Sequence, residues 1–134
     1  MTFQALHPSG WKPASGYANG LVVPPGHALV FLAGQIGWDA DQALVSEDFV
    51  PQFHQALANV AALVHEAGGA PEHVVRLTIF VTDKQLYLAD LRAVGGAYRE
   101  VLGRHFPAMS LVEVADLLEP GALVEIEATA AIPA

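Results

Sequence analysis

Residues 74 to 81, VVRLTIFV, alternate strictly between apolar and mixed positions. Val75, Leu77, Ile79 and Val81 share one face, and Arg76, Thr78 and Phe80 the other, which is the period of a half-covered β-strand. HALVFLAGQIG, residues 27 to 37, is apolar on both faces and predicts a strand covered on both sides, with Gly34 and Gly37 marking a bulge or a close backbone approach near its end. YANGLVV, 17 to 23, predicts a shorter strand closed by Pro24, Pro25 and Gly26. Between these lies a helical period: Phe53, Leu57, Val60 and Val64, with Ser46 as N-cap, Pro51 in the first turn and EAGGAP as the stop. Asp83 opens a second helix whose inner stripe is Leu88, Leu91, Val94, Tyr98 and Val101, weakened in the middle by Gly95 and Gly96. MSLVEV (109 to 114) and ALVEIEATAAI (122 to 132) are the last strands, joined through a Pro–Gly turn.

The order is strand, strand, helix, strand, helix, strand, strand, which predicts an α+β domain spanning 1–134 with two helices on one face of a mixed sheet. The other face then lacks cover. If Val124, Ile126, Ala128 and Ala130 meet the helices, alternation sends Glu125, Glu127 and Thr129 to the back. Met109 and Leu111 are expected there too, with Ser110 turned toward the helices. Such a back face is too apolar for water and too polar for a dry core. Subunits packing sheet against sheet, with clefts between them, would resolve it.

Composition sharpens this picture. The chain is 53% hydrophobic and 15% charged, which is rich for a lone small domain and again favours self-association. A formal charge of −8 with six dispersed Lys and Arg argues against nucleic acid as a partner. With no cysteine there is no disulfide or thiol nucleophile. The histidines lack paired metal-ligand spacing, so neither a metal nor a cofactor is expected. No apolar run is long enough to span a bilayer, and MTFQALHPSGW shows no secretory pattern, so the expectation is a cytoplasmic protein without membrane contact.

GYANG (16 to 20), AGQIGWD (33 to 39), ALANV (56 to 60), VVRLTIFVTD (74 to 83), FPAMSLVEV (106 to 114) and VEIEATA (124 to 130) occur in this order over nearly the whole chain. Together they resemble the RidA family, also called YjgF/YER057c/UK114 or endoribonuclease L-PSP. The resemblance implies a chorismate-mutase-like fold and a homotrimer, with helices outside, sheets forming a central barrel, and a small-molecule cleft at each subunit boundary. It also implies hydrolysis of reactive enamines or imines to a carbonyl compound and ammonia, without a cofactor.

Residue by residue, the resemblance is incomplete. Met109 stands where deaminating members carry an arginine that pairs with the substrate carboxylate. A thioether cannot replace a bidentate, charge-assisted fork, and losing one such pair costs on the order of 2–5 kcal/mol of binding. Ala33 replaces a common hydroxyl, Leu111 a common cysteine, and Gly95 a helix asparagine, while Tyr17, Gly34–Gln35 and Glu125 remain. The expected site is therefore Glu125 as the catalytic carboxylate, with Tyr17, Ala33, Gly34, Gly95, Ala108, Met109 and Leu111 contacting the ligand. Against each stands a plainer role: Glu125 as a structural acceptor, Tyr17 as a lid, Met109 as filler. Three functions are thus open: a divergent imine deaminase, a non-catalytic ligand- or partner-binding trimer, and, least compatible with the charge, a ribonuclease.

Overall fold

Burial of one helix stripe and two strand faces organises the chain, and the computed structural model describes it over residues 3–134. Helix α1, Phe49–Glu66, buries Phe49, Phe53, Ala56, Leu57, Val60 and Val64 along one side. Fully burying an aliphatic or Phe side chain contributes about 1.5–3 kcal/mol, so this stripe holds the helix on the sheet. The helix starts after Asp48. Ser46, expected as its cap, instead accepts a hydrogen bond from the Asp48 amide at 2.9 Å, forming a turn just before the helix. Pro51 falls in the first turn, where its missing N–H leaves no bond unmade. At the other end Gly68 takes φ +89°, a conformation open to glycine, and the amides of Gly68 and Gly69 bond back to His65 and Val64.

The expected second helix is two. Helix α2, Lys84–Leu88, is capped by Asp83, whose side chain accepts from the Gln85 amide. Helix α3, Leu91–Leu102, is capped afresh by Asp90, which accepts from the Ala93 amide. The break falls at this second cap, since an Asp side chain competes with helix continuation by bonding the local backbone, and Gly95 and Gly96 sit inside an unbroken helix. Leu88 and Leu91 flank the break and are exposed, so the buried stripe of α3 is Val94, Ala97, Tyr98 and Leu102.

Strands β3 (His27–Ile36), β4 (Val74–Val81), β5 (Ala108–Glu113) and β6 (Val124–Pro133) form one sheet in the order β3-β6-β4-β5. Only β4 and β5 run parallel, joined by the crossover through α2 and α3; the sheet is mixed but does not close into a barrel. The expected strand over 17 to 23 is mostly loop. Only Leu21–Val22 (β2) pairs, with Gln4–Ala5 (β1), while Ala18 bridges Ala108 at the sheet edge.

Register decides the faces. Leu77, Ile79 and Val81 are buried under the helices, as are Val124, Ile126, Ala128 and Ala130. In the parallel pairing Met109 lies beside Leu77 and Leu111 beside Ile79, so both belong to the helix-covered front, where they pack against the core. The sequence expectation had them on the back. Ser110 and Val112 are the residues turned backward, beside Thr78 and Phe80. Alternation separates the two sets but does not say which is inward, and the MSLVEV pattern is apolar in both.

Candidate functional site

On the front, α3 stands off the β4–β5 edge far enough to leave a cavity of about 310 Å³. Ile79 and Met109 come from the sheet, Phe53 from α1, and Val94, Gly95, Tyr98 and Arg99 from α3. The Tyr98 ring stacks on Phe106 with centroids 5.3 Å apart, and its hydroxyl donates to the His105 carbonyl at 2.6 Å. Burial pushes that phenol well above its ordinary range, so it stays a protonated donor. Position 99 is one turn beyond position 95, and helix side chains lean toward the N-terminus. The Arg99 side chain accordingly lies over Gly95, where a Cβ would sit 3.2 Å from Nη1.

The segment from Ser15 to Asn19 forms the rim. Ser15 and Gly16 line this cavity, and the Ala18 amide donates to the Pro107 carbonyl at 3.0 Å, tying the segment to the start of β5 at Ala108. Tyr17 itself, 43% exposed, faces an adjoining and more open cavity of about 510 Å³ with Arg104. Phe106 borders both.

Glu125 is elsewhere. It pairs across strands with Phe80 and Ile36 on the open back of the sheet. There β3 carries an irregularity between Leu32 and Gln35, and at Gly34 a Cβ would lie 2.6 Å from the Glu125 carboxylate. The expected bulge and the expected close approach are thus one feature: the carboxylate occupies space that only glycine leaves free. Glu127 and Thr129 continue the same face toward Phe31, which is 75% exposed.

Of the residues expected to form one site, the fold brings together Met109 and Gly95 at the front cavity, while Tyr17 faces the adjoining one and Ala108, beside Arg76 in the β4–β5 register, belongs to the back. It brings Glu125, Gly34 and Ala33 together as a second group. Leu111 packs into the core instead. The two groups sit on opposite faces of the sheet, on strands separated by β4.

Two supporting residues escaped the sequence reading. Gln52 is fully buried; it donates to the Ser46 and Gly121 carbonyls and accepts from the Leu123 amide, fastening α1 to the loop before β6. Asn59 donates to the Ile36 and Trp38 carbonyls and so fixes the end of β3. A glutamine on the apolar stripe of α1, between Phe49 and Phe53, was the available signal. Gly37 belongs to the same joint, since a Cβ there would lie 2.5 Å from the Gln52 Cα. Among the described residues no helix is long and apolar enough to cross a membrane.

A family profile described as Endoribonuclease L-PSP matches residues 9–132. The chain is similar to the 2-iminobutanoate/2-iminopropanoate deaminase of Salmonella typhimurium, 39% identical over 106 residues covering 77% of this chain and 79% of that one. It is similar over nearly its full length to Protein DfrA of Myxococcus xanthus, 37% identical with 97% and 96% of the two chains covered. Among solved structures, YyfB of the conserved Rid family from Yersinia pestis superposes with a TM-score of 0.86 at 30% identity, over 98% of this chain and 100% of that one. The YjgF gene product of E. coli gives 0.65 at 34% identity, over 94% and 91%.

Proposed function

Because the chain belongs to the endoribonuclease L-PSP family, the RidA/YjgF/UK114 group, we propose that it hydrolyses a small imine or enamine to a carbonyl compound and ammonia. The observation that carries this reading is the Glu125 carboxylate, held over Gly34 on the open back face of the sheet. Water donates a hydrogen bond to the carboxylate and adds its oxygen to the imine carbon. The proton accepted by Glu125 passes to nitrogen to give the carbinolamine, whose hydroxyl proton then moves by way of the same carboxylate to nitrogen as the C–N bond breaks, the C=O forms and ammonia leaves. No redox partner is needed for this balance.

In this reading the protein acts in the cytoplasm as a homotrimer. Its back face is covered by sister chains, so that Glu125 of one subunit approaches the Met109 edge of the next. Support comes from the exposed Leu29, Phe31 and Val112, an apolar surface that a lone chain leaves in water. Tyr17 and the backbone amides near Gly34 and Ala108–Met109 orient the ligand. The acidic charge disfavours RNA as a substrate despite the family's description.

The test is ammonia release from freshly generated imino acids with acidic, aromatic and aliphatic side chains. Wild-type protein is expected to accelerate at least one class, and Glu125→Gln to lower that rate by about 10²–10⁴-fold, the usual weight of a general base. Equal release with and without protein, across all classes, would retire the enzyme. Methionine at position 109 favours one second reading, a trimer that kept the cleft for binding and lost the chemistry. Met109→Arg separates the two: gain of 2-iminopropionate hydrolysis means the remaining machinery is intact.

A further inference from the structure

The front cavity has a charge pattern that its apolar walls do not require. Phe53, Ile79, Val94 and Met109 line it, and Arg99 is the only charged side chain lining it among the described residues. A cation in the last turn of a helix ordinarily serves the helix dipole. Here, however, the guanidinium is turned back one full turn, over Gly95 and beside the cavity, with Nη1 at 3.2 Å from where a Cβ would stand. Among the described residues no carboxylate pairs with it; the ion pair found there is His54 with Glu100. Gly95 costs helix stability, roughly 1 kcal/mol relative to alanine, and what its missing side chain leaves is room for this guanidinium.

We propose that Arg99 is the anion anchor of this cavity, and that the ligand it selects is a carboxylate carrying a bulky apolar or aromatic group, a 2-oxo or 2-imino acid of the phenylpyruvate kind. The single guanidinium takes the carboxylate as a bidentate partner at the mouth. The hydrocarbon lies inward on Phe53, Ile79 and Met109, where a second charge would be unpaired. A volume of about 310 Å³ sits at the small end of organic ligand sites and exceeds what pyruvate would fill. Methionine at 109 is then part of the specificity: a flexible, polarizable wall that rests well against an aromatic ring. The assignment of substrate class rests on the imine-hydrolase reading above; the binding of the carboxylate does not.

The experiment is calorimetric titration of the intact protein with phenylpyruvate, with pyruvate, and with benzyl methyl ketone, which keeps the aromatic ketone and lacks the carboxylate. Wild type is expected to bind phenylpyruvate at least tenfold more tightly than either. Arg99→Gln should remove the preference over the neutral ketone, whereas Arg92→Gln, outside every cavity described here, should keep it. Gly95→Asn gives an independent readout: a raised thermal midpoint from the better helix former, together with weaker phenylpyruvate binding as the guanidinium is displaced. An unchanged preference in Arg99→Gln, its loss in Arg104→Gln alone, or pyruvate binding as tightly as phenylpyruvate would overturn the proposal. Failure of the hydrolase reading looks different: phenylpyruvate bound through Arg99, with no ammonia released from any imine.

Discussion

The two faces of the β-sheet are built from the same four strands by the same alternation, yet they finish differently. The front is closed by α1 and α3 over Leu77, Ile79, Val124 and Ile126, and opens near the β5 edge into a small cavity with one guanidinium. The back leaves Phe31, Leu29 and Val112 exposed beside Glu125, Glu127 and Arg76. A face that is complete within one chain is a folding device. One that exposes Phe31, Leu29 and Val112 beside carboxylates gains little by staying in water, which is what the proposed cover by sister chains would relieve. The proposed chemistry is divided in the same way, with the carboxylate behind the sheet and the Met109 cavity in front.

The comparison can be tested by damaging each face in turn. The largest effect is expected in the closed one: Leu77→Ala should destabilise the fold by about 2–5 kcal/mol, read as a shift of the urea midpoint, because no neighbour can fill the void. Two glycines in β3 and just beyond it then separate packing from chemistry. In Gly37→Ala the new methyl meets helix backbone at 2.5 Å, and a loss of about 1–3 kcal/mol is expected from forced backbone movement. In Gly34→Ala the methyl's nearest neighbours, from 2.6 Å, are atoms of the flexible Glu125 side chain and not backbone. Stability should change by no more than about 0.5 kcal/mol, while imine hydrolysis falls about 10²-fold, as displacement of a reacting group by an ångström does. If both glycine variants lose stability equally, Glu125 is a structural wedge and not a poised base.

On the open face, Phe31→Glu should reduce the particle mass in light scattering to that of one chain while leaving far-UV circular dichroism unchanged. An unaltered mass would show that the back face is covered by something other than its own copies. The smallest effect concerns the rim of the front cavity. Burial raises the Tyr98 phenol above its ordinary value of 10.0. In the folded state it therefore keeps its proton while the unfolded chain loses it. Stability is full below pH 10 and declines as pH rises past it, the unfolded form binding fewer protons. Tyr98→Phe should flatten that alkaline decline, apart from a pH-independent loss of about 1 kcal/mol for the missing bond to the His105 carbonyl.

The sequence made much of this legible. VVRLTIFV showed its buried and open sides because Arg76 and Thr78 could not share a face with Leu77. Gly34 and Gly37 showed that something would press on β3 near its end, though not that one contact is a carboxylate and the other a helix backbone. Asp83 was readable as a cap, whereas Asp90 was hidden by the apolar residues on either side of it, which continue a helical period. MSLVEV was the instructive failure. Both of its faces carry apolar residues, so periodicity alone allowed Met109 to be placed behind the sheet. The parallel register with β4 put it in front.

What the chain alone determined was therefore the four strands of the main sheet, helix α1 and the helix-covered side of β4 and β6. These follow from local periodicity and residue type, which each segment carries with it. Tertiary structure decided which face β5 presents, that Glu125 and Met109 do not meet within one chain, and that Arg99 folds over Gly95 toward the cavity. Those depend on strand register and on helix placement across dozens of residues, and no segment contains that information by itself.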